Sequence, residues 1–269
     1  MAHFIIYKSL FENYEDVVEY FKKSSDTYTD IESYTPKFHK ETLYDTVKYI
    51  SDTESNIISF LPQAKLDEIT RLISLGAPGV FFQYTNILSI FRDVLLYDNG
   101  VFLPYKSLYS PLHPYLETLG ENIYIKNNIA NGQSTLTNIL KNETSILRTN
   151  KRNNKIEDNC LMYIDKEKIA TKEIRVFLYD SIIDWSYFDK NLETNKGIKI
   201  DEKIKTICDE IIIKIEEHRN RHEFVSADFC YDEHNEPKLL QINNGFSSFF
   251  YNCNIEKIFN HIKTIFNKK

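Results

Sequence analysis

Near the C-terminal end of the chain, three side chains carry oxygens at a spacing that suits a hard cation. Asp228 lies in Phe224-Val-Ser-Ala-Asp-Phe-Cys-Tyr-Asp, and Gln241 and Asn243 lie in Lys238-Leu-Leu-Gln-Ile-Asn-Asn-Gly-Phe-Ser. Both stretches read as strands, with Asp232-Glu-His-Asn-Glu-Pro as the turn of a hairpin. Residues two apart on a strand share a face, so Gln241 and Asn243 project together, and hairpin pairing can bring Asp228 beside them. Oxygen donors gathered in this way suit Mg²⁺, whose other ligands are commonly nucleotide phosphates.

Two cationic side chains stand on apolar strands upstream. Lys126 ends Glu121-Asn-Ile-Tyr-Ile-Lys, ahead of a small polar loop running from Asn127 to Thr135. Arg175 lies in Lys172-Glu-Ile-Arg-Val-Phe-Leu-Tyr-Asp-Ser-Ile-Ile-Asp-Trp-Ser-Tyr-Phe, which reads as a strand, a turn and a returning strand. A lysine supplies a point charge, and an arginine a planar fork that matches phosphoryl oxygens. Each also has a plain reading: a solvent-facing strand lysine, and an ion pair of Arg175 with Glu173 on the same strand face. Asp184 and Ser186 on the returning strand belong to the candidate face too.

Taken in order, Lys126, Glu173-x-Arg175, Asp228 and Gln241-x-Asn243 resemble the ATP-grasp superfamily over residues 78–252. The likeness is greatest to a divergent ATP-grasp clade marked by one arginine and two lysines in its site. The resemblance implies an α+β ATP-grasp fold, with two α+β lobes around a nucleotide cleft, preceded by an N-terminal α/β domain. The expected division is 1–118 and 119–269, with a hinge near 163–166. It further implies that Lys126 holds the α- or β-phosphate and Arg175 the γ-phosphate or an acyl phosphate, as the catalytic cations. The nucleotide would also meet Met162, Tyr163, Ile164, Asp165, Glu173 and Gln241. Asp228, Gln241 and Asn243 would hold Mg²⁺.

The implied activity is ATP-dependent ligation of a carboxylate to an amine through an acyl phosphate, releasing ADP and phosphate. The substrates would be small molecules or peptides. Two departures bear on this. The family normally has Glu where this chain has Gln241, and an amide adds no negative charge to a cation's shell. The clade tends to have a second lysine in the phosphate loop, a region where this chain has Gln133 or a neighbour of it. Both leave open a nucleotide-binding module without ligase activity.

The elements that must position these residues are legible in outline. Met1–Lys8 reads as a strand, Asn13–Lys23 as a helix with one apolar stripe, and Ser24–Asp30 as a loop. Thr42–Tyr49 and Leu66–Leu75 read as helices, Asn56–Pro62 as a strand closed by proline, and Asn86–Leu96 as a helix before the Asp98-Asn-Gly turn. Cys160–Ile164 reads as a buried strand. Ile204, Ile207, Ile211 and Ile215 fall at helical spacing within Asp201–His218, and Ile255–Phe266 forms a last helix.

Composition sets outer bounds. The chain of 269 residues has a formal net charge of −6, which argues against a surface built for nucleic acid. The basic run Arg148–Lys155 is the local exception and leaves a nucleic-acid-modifying reading open. Four cysteines lack metal-ligand spacing and fit reduced thiols of a cytoplasmic protein. His218 and His222, four apart, read as surface or capping residues in the absence of a third ligand. No segment reaches the apolar length of a membrane span.

Overall fold

The computed structural model describes residues 1–31, 57–62, 84–104, 118–119, 122–127, 134–138, 161–188, 199–219 and 222–266. The helices expected over Thr42–Tyr49 and Leu66–Leu75, Gln133 with most of its loop, the Arg148–Lys155 run and Cys160 lie outside the described residues.

Contacts group the chain into two compact units. The first comprises Met1–Val80, Lys172–Phe229 and Ile242–Lys269, the second Phe81–Thr171 and Cys230–Gln241. The units therefore cut the chain differently from a linear break after residue 118. The reason is packing: one apolar cluster of the first unit joins Phe4, Phe60, Phe177, Phe250 and Phe259, residues drawn from both ends of the sequence.

In the first unit, β1 (His3–Ile6) lies between β2 (Thr27–Asp30) and β3 (Ile57–Phe60) in a parallel sheet. β1 and β3 are buried along their whole length, as apolar runs in parallel sheets usually are. Helix α1 (Tyr14–Lys23) connects β1 to β2, buries Val17 and Tyr20, and carries acids in its first turn and lysines in its last, as the helix dipole favours. β2 corrects the loop expected over Ser24–Asp30. The edge of β1 takes this polar segment as a partner, and His3 ties it down through Nδ1 to Thr27 Oγ1 (2.8 Å) and Nε2 to Thr29 Oγ1 (3.0 Å). Asp26, just before β2, accepts from the Ala2 amide at 2.8 Å and from the Tyr20 hydroxyl at 2.9 Å.

The second sheet of this unit runs in the order β11-β10-β8-β9, with β8 (Thr171–Leu178), β9 (Ile182–Tyr187), β10 (Val225–Tyr231) and β11 (Pro237–Asn244). β10 and β11 form the expected hairpin, and its tip, Cys230–Gln241, is counted with the second unit. Asp232 holds the turn together, its Oδ1 accepting from the His234 and Glu236 amides at 2.9 Å, while Asn235 takes φ 60°. Helix α3 (Glu202–Arg219) buries Ile204, Ile207, Ile211 and Ile215 together with Cys208 and Ile212. Each such isoleucine contributes about 1.5–3 kcal/mol by leaving water. Helix α4 (Ile255–Phe266) closes the unit.

The second unit holds an antiparallel sheet in the order β4-β7-β5-β6, from β4 (Val101–Pro104), β5 (Asn122–Asn127), β6 (Ser134–Asn138) and β7 (Leu161–Lys166). Helix α2 (Tyr84–Phe91) gives way to a 3₁₀ turn over Arg92–Val94, short of the expected end at Leu96. Leu96 instead donates its amide to the Leu239 carbonyl at 3.0 Å, and Leu95 bridges Leu239. Behind this, Tyr97 stacks on Tyr124 with ring centroids 3.6 Å apart, and burial pushes the Tyr97 hydroxyl up to about 12.

Candidate active site

Arg175 sits in a run, Ile174–Leu178, that is buried on both faces of β8. A guanidinium there requires an acceptor set of its own. The neighbouring strand β10 supplies it. Arg175 Nε donates to Asp228 Oδ1 at 2.7 Å and Nη2 to Asp228 Oδ2 at 2.8 Å, a bidentate pair in which Arg175 is 5% and Asp228 0% exposed. Nη1 donates to the Phe249 carbonyl at 2.9 Å. The rings of Phe188 and Tyr251 lie 5.1 and 5.0 Å from the guanidinium carbon. Tyr251 holds φ 45°, a left-handed backbone uncommon for an aromatic residue. Burial pushes the Arg175 pKa down, but the Asp228 charge and hydrogen bonds reverse this, so it lies above its ordinary value.

Asn243, on β11, reaches the same carboxylate: its Nδ2 donates to Asp228 Oδ2 at 3.3 Å. Asp228 and Asn243 are thus brought together as expected. Arg175, however, chooses Asp228 where the plain reading had given it Glu173. Glu173 remains partly buried on the Arg175 face, and burial followed by the Asp228 charge pushes its carboxyl above the ordinary value, with Arg175 pulling the other way. Ser186 pairs opposite Arg175, and Asp184 opposite Phe177, so both share that face of the β8–β9 ladder. Asp184 is occupied with α4, accepting from the Asn254 amide at 2.7 Å.

In the second unit, Lys126 is 3% exposed on β5, which excludes the solvent-facing reading. Its Nζ donates to Gln241 Oε1 at 2.7 Å. The residue expected to hold a phosphate and one expected to hold a metal are therefore hydrogen-bonded to each other.

Met162, Tyr163 and Ile164 lie in the interior of β7, registered against β4 on one edge and β5 on the other, and Asp165 pairs with Tyr124 of β5. β7 is a central strand of its sheet, and the four side chains are buried, at 4%, 0%, 0% and 2% exposure. The Asp165 carboxylate is committed to local structure: Oδ2 accepts from the Tyr163 hydroxyl at 3.1 Å and the Asn99 amide at 3.3 Å, and Oδ1 from the Lys166 amide at 2.8 Å. The Tyr163 hydroxyl in turn accepts from the Gly100 amide at 2.8 Å. A Cβ on Gly100 would fall 2.1 Å from the Ile164 carbonyl oxygen, so glycine is required for β4 to approach β7 this closely. Lys168 completes the cluster, its Nζ donating to the Leu96 carbonyl at 2.6 Å and pairing with Asp98.

Sequence reasoning missed the aromatic setting of Arg175 and the Tyr163–Gly100 contact. The Phe249-Phe250-Tyr251 run was visible, but nothing local says that the outer two meet a guanidinium from a strand far upstream. Among the described residues there is no group of three or more His, Cys, Asp or Glu side chains suited to a metal, and Cys208, Cys230 and Cys253 are buried free thiols. No helix among the described residues is long and apolar enough to cross a membrane.

No protein-family model matches the chain, and no curated protein matches it in sequence. Its fold is nevertheless shared with solved structures. D-alanine–D-alanine ligase from Bacillus anthracis complexed with ATP superposes with TM-score 0.55 at 11% identity, covering 100% of this chain and 99% of that one. D-cycloserine synthetase gives TM-score 0.57 at 8% identity, covering 100% and 99%. A RimK domain ATP-grasp protein from Sphaerobacter thermophilus gives TM-score 0.52 at 8% identity, covering 91% and 92%. These likenesses, carried by a chain of mixed helices and sheets, show that the protein has an α+β ATP-grasp fold.

Proposed function

We propose that the protein is an ATP-dependent carboxylate–amine ligase. The observation that carries the reading is the ATP-grasp fold with Lys126 and Arg175 as buried cations on the strands where the motif order put them. Two of the solved structures sharing the fold are named as a ligase with ATP and a synthetase, which supports the class. In this reading a substrate carboxylate oxygen attacks the γ-phosphorus of ATP, ADP leaves, and an amine displaces phosphate from the acyl phosphate. Lys126 lends its charge to the phosphates. Arg175 contributes the N–H groups not committed to Asp228 and Phe249, and its kinship is with the clade marked by one arginine and two lysines. Such catalysis is mostly positioning and charge stabilisation. The substrates are small-molecule or peptide carboxylates and amines, and the setting is cytoplasmic.

The fold family also implies Mg²⁺ on Asp228, Gln241 and Asn243, and the side chains present fit it poorly. Both Asp228 oxygens accept from Arg175, Gln241 Oε1 accepts from Lys126, and Asn243 turns its amide nitrogen to Asp228. Asp228 and Gln241 thus already face protein donors, and Asn243 is itself a donor to Asp228. The charge over the phosphates is therefore assigned to Lys126 and Arg175. The same observation favours a second reading, an ATP-binding module without ligase activity. Incubation with ATP and a panel of carboxylates and amines, with and without Mg²⁺, separates the two. Substrate-dependent ADP release is expected of a ligase; ATP binding with no ADP from any pair would leave the binding module.

A further inference from the structure

Gln241 is the one motif position where this chain departs from the family's carboxylate, and it is also the residue on which the Lys126 ammonium rests. Its Oε1 accepts from Nζ at 2.7 Å, a contact between residues 115 apart in the chain. An amide oxygen is a good acceptor for an ammonium, yet it brings no charge. A carboxylate in the same place would stand a hydrogen bond away from Nζ and offset the attraction of Lys126 for any other anion. A divalent cation drawn to the same oxygen would have to approach an ammonium already bound there, against like-charge repulsion.

We propose that Gln241 is a positioning residue for Lys126, holding its ammonium toward an anionic phosphate without neutralising it, and is not a metal ligand. The phosphate part rests on the ATP-dependent reading above. The identity of residue 241 then follows from what it must do. Glutamine keeps the hydrogen bond and omits the charge, whereas Glu adds a full negative charge beside Nζ whatever else the ammonium meets. Loss of the acceptor altogether, as in Gln241→Met, keeps the charge but releases the side chain.

The test is ATP binding by calorimetry in EDTA and in Mg²⁺. Gln241→Glu is expected to weaken ATP about tenfold in both media, as for a lost charge-assisted contact, and Gln241→Met about threefold. In a Lys126→Ala background, Gln241→Glu is expected to have little effect, because the charge it would offset is gone. Tighter ATP binding by Gln241→Glu in Mg²⁺ alone would overturn the proposal in favour of metal ligation. An undiminished effect in the Lys126→Ala background would overturn it as well.

If the wild-type protein binds no ATP in either medium, the nucleotide reading and the phosphate half of this proposal both fall. The pairing itself is read separately from urea unfolding of Lys126→Met, Gln241→Leu and the double variant. Effects on the unfolding constant that miss multiplicativity by about threefold or more support the contact, and multiplicative effects overturn it.

Discussion

Arg175 and Asp228 meet across neighbouring strands through hydrogen bonds of 2.7 and 2.8 Å, and each supplies what the other needs in order to be buried. A buried pair of this kind adds little over a well-packed apolar pair, yet removing one member strands the other's charge. Asp228→Ala should therefore destabilise the protein by about 3–5 kcal/mol. Arg175→Met with Asp228→Leu should recover much of that. Urea unfolding checks both, and a single variant as stable as wild type would show that the pair does not anchor the sheet.

Lys126 carries the proposed contact to phosphate. Lys126→Ala is expected to weaken ATP binding by about tenfold or more, on the order of 2 kcal/mol for a lost charge-assisted contact. Calorimetry at fixed ionic strength measures it. Equal affinity in wild type and variant would show that Lys126 does not hold the nucleotide.

Glu173 gives the pH dependence a definite sign. Burial and then Asp228 raise its carboxyl pKa above the ordinary value, against the pull of Arg175. A carboxyl raised on folding contributes stability that is full below the unfolded pKa and is lost as pH rises through the folded one. Glu173→Gln should thus gain on wild type as pH climbs from the acid side of the carboxylate range toward neutrality. Thermal unfolding across that range should show the two curves separating upward in pH; curves that stay parallel would mean that Glu173 is not strained by its site.

Two glycines offer a graded test of close packing. An added Cβ at Gly100 meets the Ile164 carbonyl oxygen at 2.1 Å, and one at Gly245 meets the Phe224 ring at 2.5 Å. The first obstacle is backbone in a central strand, the second a buried side-chain ring. Gly100→Ala should cost more than the roughly 1–3 kcal/mol of ordinary overpacking, and Gly245→Ala should fall within it. The reverse order in denaturant unfolding would indicate that β4 shifts freely away from β7.

Local residue pattern accounts for the elements. Ile204, Ile207, Ile211 and Ile215 specify a helix and its buried face, and alternation around Asp228, Gln241 and Asn243 specifies two strands and a turn, because side-chain period follows from backbone geometry alone. The order of the motif residues carried the resemblance to a fold that the solved structures then showed. The partners came from long-range packing. It made a strand of Thr27–Asp30 because β1 had an edge to pair, and set β7 between β4 and β5. It gave Arg175 to Asp228 rather than to Glu173 two residues away, and set Gln241 against Lys126. A buried charge takes whichever donor or acceptor shares its water-free space, and that neighbourhood is set by packing between distant segments, which no local pattern records.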